Sequence, residues 1–359
     1  MKARSAMTAL ACVATLACGP SRDTSFVHAL AAGDRAKTSG RHGEAATLYE
    51  QAATVPKEPR ERDYATFLAA SSYAQSGNRQ DAARLYDALQ AGRGEYATRA
   101  RFERALLDLA VDEEQGLSAL LAFAIAHPES ALARRALLLV AERRAGSEGP
   151  ERLSFFEAHL KHFVKTDMEE RVRYEMANAR ELADDLRGAK AAFIALAHDF
   201  PYPQGALRDD ALFRAAELEL REGNARAAIG LLEELLADRE TTSLVGSYER
   251  RRYVPAALRI AEIYRDRLKD VPRARAAYLR VVDDFHHTTS RDDALFEVAL
   301  LDLSARGAEV ACETMRKLAK TMPTSRYARC SAVICNEAAK APGACPDYIE
   351  RRIRAASAR

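Results

Sequence analysis

The chain has 359 residues with 54 Lys and Arg against 52 Asp and Glu, a formal charge of +2, which excludes the basic excess by which nucleic-acid-binding domains hold phosphates. Aromatic residues are only 7% of the total, Trp is absent, and no stretch sustains the apolar-polar alternation or β-branched enrichment of strands, so the chain reads as all-α. This length fits two or three compact domains or one elongated repeat array, and a composition dominated by Ala, Leu, Arg and Glu favours the array.

The first residues carry Lys2 and Arg4, then an uncharged stretch from Ser5 to Ala17 containing Met7, Leu10, Val13 and Leu16. That is the layout of a secretory signal, too short to span a bilayer as a mature helix. Leu16-Ala17-Cys18 resembles the lipobox of bacterial lipoproteins, in which small residues admit the chain to a narrow protease site and the Cys thiol takes a diacylglyceryl group. The resemblance implies a signal peptide at 1–17, lipidation of Cys18 and a lipidated tether over 18–25. Cys12 competes, but the stretch between Arg4 and Ala11 is short for an apolar region. An ordinary secretory signal with an incidental Cys is the alternative. Gly19, where Asp would hint at inner-membrane retention, implies a lipid-anchored protein on the periplasmic face of the outer membrane.

Removing Lys2 and Arg4 leaves 52 basic against 52 acidic residues, a neutral mature chain with no nucleic-acid partner. The longest later apolar run, Leu117 to Ala126, falls far short of a membrane span, so the lipid is the expected membrane contact. Residues 19–25 reach at most about 25 Å, which would hold the first repeats against the membrane.

From residue 26 one pattern returns: a small residue, a large apolar one four positions on, and an apolar or small one three further. It reads Ala45/Tyr49/Ala52, Ala82/Tyr86/Leu89, Gly116/Leu120/Phe123, Ala189/Phe193/Leu196, Ala228/Leu232/Leu235, Ala274/Tyr278/Val281 and Ala311/Met315/Leu318. The anchors lie 37, 34, 73, 39, 46 and 37 residues apart, the 73 hiding a degenerate copy at roughly 131–165. These spacings put all three side chains on one helical face, where the small residue admits a close neighbour. Pro128, Pro201 and Pro323 each fall twelve residues after an anchor, where proline stops a helix. Ser130 and Ser325 offer hydroxyl caps to the next helix, and Ser290 with Asp293 reads as a variant capping box. Between the anchor helices lie others, among them Tyr64 to Gln75, Asp209 to Arg221 and Arg291 to Leu303, with Gly77 and Gly223 as stops. The swollen 46-residue spacing, with Thr241, Thr242, Ser243 and Gly246 in 238–252, predicts a loop or an extended helix start.

A helix, a tight turn, a second helix and a short break in about 34 to 39 residues resembles the tetratricopeptide repeat, most clearly in Ser72-Tyr73-Ala74-Gln75-Ser76-Gly77-Asn78 to Tyr86 and in Ala261-Glu262-Ile263-Tyr264 to Tyr278. A HEAT-like array is the rival within two-helix solenoids. The resemblance implies a right-handed superhelical solenoid of about eight helix-turn-helix repeats over 26–340, with a C-terminal capping helix or tail at 341–359. It also implies a concave groove, lined by the first helix of each pair, that binds protein or peptide partners. Tyr64, Phe67, Ser71, Tyr174, Asn178, Asp210, Phe213 and Glu217 are its candidate binding residues, with a core role for the aromatics the alternative.

Cys312, Cys330, Cys335 and Cys345 all fall in the last 48 residues. An even, clustered set in an oxidising compartment reads as two disulfides with three possible connectivities, and we favour Cys312 with Cys330 and Cys335 with Cys345. There is no Cys-x-x-Cys, and no His lies in the cluster, so no metal is expected. The terminal segment with Arg351, Arg352, Arg354 and Arg359 reads as a solvated cap.

Catalytic constellations are missing. His159 and His162 share a helix side with no third ligand, His286-His287 falls in a predicted turn, and Gly92-Arg93-Gly94 is a turn between repeats. Glu170, Arg171 and Arg173 read as surface charges at helical spacing. The expectation is a protein without catalytic residues or cofactor. It is similar to the repeat lipoproteins of the outer-membrane protein assembly complex, which implies envelope partners, although its eight repeats exceed that family's usual number. A coordinator like the periplasmic repeat proteins of the Tol-Pal system and a glycan- or lipid-binding protein of polysaccharide export are the alternatives.

Overall fold

A computed structural model describes residues 24–237, 250–335 and 345–358. The lipobox with Cys18 and residues 238–249 of the swollen spacing lie outside the described residues. The described residues are helical throughout, with no strand among them, and no helix there is long and apolar enough to cross a membrane.

The chain divides into two compact units, 1–140 and 141–359. In the first unit α1 (Thr24–Thr38) and α2 (His42–Ala52), α3 (Pro59–Gln75) and α4 (Arg79–Gln90), and α5 (Glu95–Leu109) and α6 (Glu113–Ala126) are antiparallel hairpins; α7 (Ala131–Ala145) runs across the boundary. The second unit continues with α8 (Gly149–Leu160), then α9 (Glu169–Leu182) with α10 (Leu186–Asp199), α11 (Arg208–Arg221) with α12 (Ala225–Ala237), α13 (Tyr253–Glu262) with α14 (Val271–Asp284), and α15 (Arg291–Arg306) with α16 (Ala308–Thr321). It ends in short α17 (Ser331–Cys335) and in α18 (Asp347–Ser357). Helix α1 begins two residues earlier than the sequence pattern placed it.

Every anchor sits in the second helix of its pair, and the side chains are buried: Tyr49, Leu120, Phe193, Leu232 and Met315 are fully enclosed. Burying a side chain of that size stabilises by roughly 1.5–3 kcal/mol, so the repeated triplet holds each hairpin together jointly with the buried residues of its first helix. The small residues act as spacers. A Cβ on Gly116 would lie 2.2 Å from the Leu109 backbone, so α5 and α6 approach as they do only because no side chain intervenes. The degenerate fourth copy has Phe156 fully buried at the aromatic position, but Arg152 at the small one; its guanidinium lies over the Phe156 ring at 5.8 Å and donates to the Gly146 carbonyl at 3.0 Å.

The stops work as the prolines require. His127, Phe200 and Met322, each preceding a proline, leave the helical region at φ −132°, −120° and −136°. Gly77 and Gly223 take φ of +83° and +86° just past α3 and α11, the left-handed turn glycine accepts at no steric cost. One capping device escaped the sequence reading. Asn78, Asp112, Asp185 and Asp270, each four residues before an anchor, accept from a backbone N–H in the first turn of α4, α6, α10 and α14.

Two local expectations are corrected. The capping box at Ser290 does not form: the Asp293 N–H goes to Asp292 Oδ1 at 2.8 Å, the Ser290 N–H goes to Thr288 Oγ1 at 3.2 Å, and the Asp293 carboxylate accepts from the Tyr327 hydroxyl at 2.6 Å and from Arg326 at 2.5 Å. The disulfides are Cys312–Cys335 and Cys330–Cys345, each with Cα atoms 4.8 Å apart, and not the sequential pairing. The short α17 packs back on α16 and brings Cys335 to Cys312, which leaves Cys330 to hold the residue just ahead of α18. Helix α18 lies against α15 with Ile349 and Ile353 buried, while Arg351, Arg352 and Arg354 stay exposed.

Candidate protein-docking faces of the first helices

In the first unit the first helices α3 and α5 meet through rings. Tyr64 and Phe67 on α3 lie 5.7 and 6.0 Å from the Tyr96 ring on α5, and the Arg99 guanidinium stands 5.0 Å over Phe67. Phe67 is only 8% exposed and also packs on Tyr86 of α4 at 5.8 Å. It is therefore a core residue, and its placement on an open binding face is corrected: one turn after Tyr64, its side chain fills the wedge between α4 and α5. Tyr64 and Ser71 stay half-buried on the same helix, and burial pushes up the pKa of the Tyr86 hydroxyl.

In the second unit the same helices are joined by charge. Glu181 of α9 accepts from Arg214 at 2.5 Å and from Arg221 at 3.1 Å, both on α11. Asp210 of α11 pairs with Arg252 next to α13, and Glu217 accepts both Nε and Nη2 of Arg259 at 2.7 and 2.8 Å. The π-helical turn Ile263–Arg267 that extends α13 sends Arg265 to Glu297 of α15 at 2.6 Å, and Arg352 of α18 reaches the other oxygen of Glu297. Hydrogen bonds to Glu217 and to Asp266 hold Arg259 and Arg265 above the usual guanidinium range.

The predicted binding residues thus have partners within the chain. Asp210 and Glu217 are half-exposed and salt-bridged; Phe213 lies under Arg252 at 4.9 Å; Tyr174 packs edge-on to Phe193 at 5.4 Å, its hydroxyl pKa raised by burial; Asn178 donates to Glu175 at 3.4 Å. Each of the two faces collects its predicted residues from neighbouring helices, Tyr64 and Ser71 in the first unit and Tyr174, Asn178, Asp210, Phe213 and Glu217 in the second. Sequence spacing found these positions but missed Arg252, Arg259, Arg265 and Glu297; for Arg252 and Arg259 the signal was the acid-to-Arg offset of 42 residues shared by Asp210–Arg252 and Glu217–Arg259, which Arg265 and Glu297 do not follow.

Glu170 is likewise more than a surface charge. It crosses from α9 to accept the Ala206 and Leu207 N–H groups at 3.1 and 2.7 Å ahead of α11, and burial pushes its carboxyl above the usual range. His159 binds the Phe155 carbonyl through Nδ1 at 2.7 Å, its ring 6.4 Å from that of His162; His286 and His287 lie exposed in a turn. Among the described residues, no three His, Cys, Asp or Glu side chains gather closely enough to hold a metal.

Residues 256–285, the seventh hairpin with its Ala274/Tyr278/Val281 triplet, match the tetratricopeptide repeat model. The fold is the tetratricopeptide repeat. Solved structures with likeness to the chain include a tetratricopeptide repeat protein from Parabacteroides merdae, 15% identical over 82% of this chain and 99% of that one with a TM-score of 0.34. Another is the tetratricopeptide-repeat sensor protein of the signal-transduction ATPase class from Pyrococcus horikoshii, 13% identical over 88% and 52% with a TM-score of 0.43. The kinesin light chain repeats of Podosopora anserina are 18% identical over 55% and 98%, at 0.38. No curated relative matches the sequence. Repeat proteins of this architecture use extended surfaces built from stacked hairpins for binding.

Proposed function

We propose that this tetratricopeptide protein is a non-catalytic scaffold of the bacterial cell envelope, anchored to the outer membrane by a lipid on Cys18 and holding protein partners during assembly of outer-membrane proteins or secretins. The observation that carries the scaffold reading is the side-chain registration of successive first helices, α3 with α5 and α9 through α15, which makes each unit offer a strip of aligned side chains rather than a pocket with converging reactive groups. Two disulfides in one terminal segment support an oxidising compartment, and Leu16-Ala17-Cys18 supports the anchor. Crosslinking the chain in intact cells, beside a Cys18→Ala control, tests both. Capture of β-barrel assembly or secretin components that is lost in the control is the expected result. Glycan-export enzymes, or a partner set unchanged in the control, would overturn the assignment.

A further inference from the structure

The second unit ends on a surface whose cover fits poorly. On α15, Phe296 and Glu297 and, one turn on, Leu300 and Leu301 face α18. Two isoleucines of α18, Ile349 and Ile353, are buried, and the Arg352 guanidinium lies over Phe296 at 5.3 Å while its Nη2 reaches Glu297. Past that turn the fit fails. Ala355 and Ala356 stand across from Leu300 and Leu301, and a cleft of about 550 Å³ remains, walled on its far side by the π-helical turn with Arg265. Well-packed protein interfaces leave few voids, so the last turn of α18 forgoes contacts that larger side chains would make.

Three further facts mark this cover as separable from the hairpins. Helix α18 is bound covalently only ahead of its first turn, through Cys345 to Cys330. Its anchoring charge, Glu297, is shared with Arg265 of the preceding hairpin, so the carboxylate stays paired when Arg352 leaves. The next turn of α15 runs on into the cleft, where Leu300 and Leu301, 9% and 7% exposed, and then Ser304 and Ala305 line it opposite Asp266 and Lys269.

We propose that this face of α15 is a docking surface for an amphipathic partner helix and that α18 is its resident, displaceable occupant. The occupant chemistry follows from what α18 supplies and lacks: apolar residues at i and i+4, Arg at i+3 for Glu297, and at i+6 or i+7 a large apolar side chain where α18 has alanine. Such a helix makes every contact of α18 and fills the cleft. It must outcompete an intramolecular rival, whose advantage is the effective concentration set by the short disulfide-closed connection. The inference rests on the protein-binding reading above but is independent of which envelope machine supplies the helix.

The test uses the full chain and a fluorescent peptide of residues 345–358 carrying Cys345→Ser and Ala356→Leu. The peptide is expected to bind the Ile349→Asp/Ile353→Asp chain at least tenfold more tightly than the unsubstituted chain, and an Arg352→Glu peptide to lose that gain. In the opposite direction, Ala356→Leu within the chain should seal the face and slow hydrogen exchange along α18. Hydrogen exchange of α15 and α16 in the opened variant reports whether the hairpin stays folded; should it not, Cys345→Ser opens α18 without touching the interface and takes its place in the same comparison. Equal affinity for the opened and unsubstituted chains, or no peptide binding to an opened chain with intact hairpins, would overturn the proposal. Absence of crosslinked partners in cells would instead count against the scaffold reading and leave the peptide result standing.

Discussion

Between α3 and α5 the first helices touch through Tyr64, Phe67, Tyr96 and an overlying Arg99, with Phe67 almost wholly out of water. Between α9, α11, α13 and α15 they touch through Glu181, Asp210, Glu217 and Glu297, each held by arginines of a neighbouring helix and each still within reach of solvent. The same repeat position therefore does two jobs. Apolar ring contact is strong, weakly directional and indifferent to salt; paired half-exposed charges add little net stability yet fix which side chain faces which. The first unit's face should resist electrolyte, and the second's should be tuned by it.

The largest effect that would break this comparison lies in the first unit. Phe67→Ala removes a buried ring contacting two others and should cost about 3–5 kcal/mol. In a repeat array the loss should concentrate near the site, so hydrogen exchange should accelerate in α3, α4 and α5 first. A loss below about 1 kcal/mol would mean that Phe67 faces solvent, as its repeat position first suggested.

Next comes Asp302 in the second unit, whose fully buried carboxylate receives Arg275 at 2.8 Å, Arg306 at 3.2 Å and the Thr314 hydroxyl at 3.0 Å, tying α14, α15 and α16 together. Asp302→Ala should cost roughly 1–3 kcal/mol, below the figure for a fully enclosed pair, because both arginines retain solvent access once released. Chemical denaturation read by circular dichroism measures it. A neutral result would show that the second unit's charge contacts, even the buried one, set register alone.

Much of this was legible in the residues. The anchor triplets, the three prolines and the Gly77 and Gly223 stops each follow from local sterics, which act wherever the sequence puts them. The 73-residue gap told of a hidden copy at roughly 131–165, although Arg152 in the small position concealed its anchor, which in the fold is the buried Phe156 of α8. What lay beyond reach was set by contacts between distant residues. Phe67 and Tyr64 sit one turn apart, and only the position of Tyr96 decides which is enclosed. The cysteine pairing depended on α17 folding back to α16, a five-residue helix with too little periodicity to announce itself. Glu170 looked like any surface acid because its partners, the Ala206 and Leu207 amides, lie more than thirty residues away.

A smaller change sharpens the contrast directly. Glu217→Gln removes the charge and one of the two oxygens that accept from Arg259, but with both side chains 34% exposed the loss should be at most about 1 kcal/mol. It should also shrink with added salt, since the Debye length falls from about 10 Å at 0.1 M to 3 Å at 1 M. Melting Glu217→Gln and Phe67→Ala at both ionic strengths compares the two faces in one experiment. The Phe67→Ala difference should stay constant, and if instead the Glu217→Gln difference also holds at 1 M salt, the ladder is packed more tightly than its exposure implies.

The smallest effect runs against the general trend of substitutions. Glu103 on α5 has its carboxyl pushed above the usual range, first by burial, with Arg135 and Arg99 opposing only in part. A carboxyl whose folded pKa is raised binds its proton more tightly in the folded state, so its contribution to stability is complete below the unfolded-state pKa and is lost as pH rises through the folded value. At neutral pH the ionised group is therefore a burden on the first unit. Glu103→Gln should raise the melting midpoint at pH 7, and its advantage should fade as the pH falls into the ordinary glutamate range, where both folded and unfolded chains carry the proton. A Gln variant less stable than the parent at pH 7 would show that the pull of Arg99 and Arg135 outweighs burial, and that charge pairing matters on the aromatic side of the molecule too.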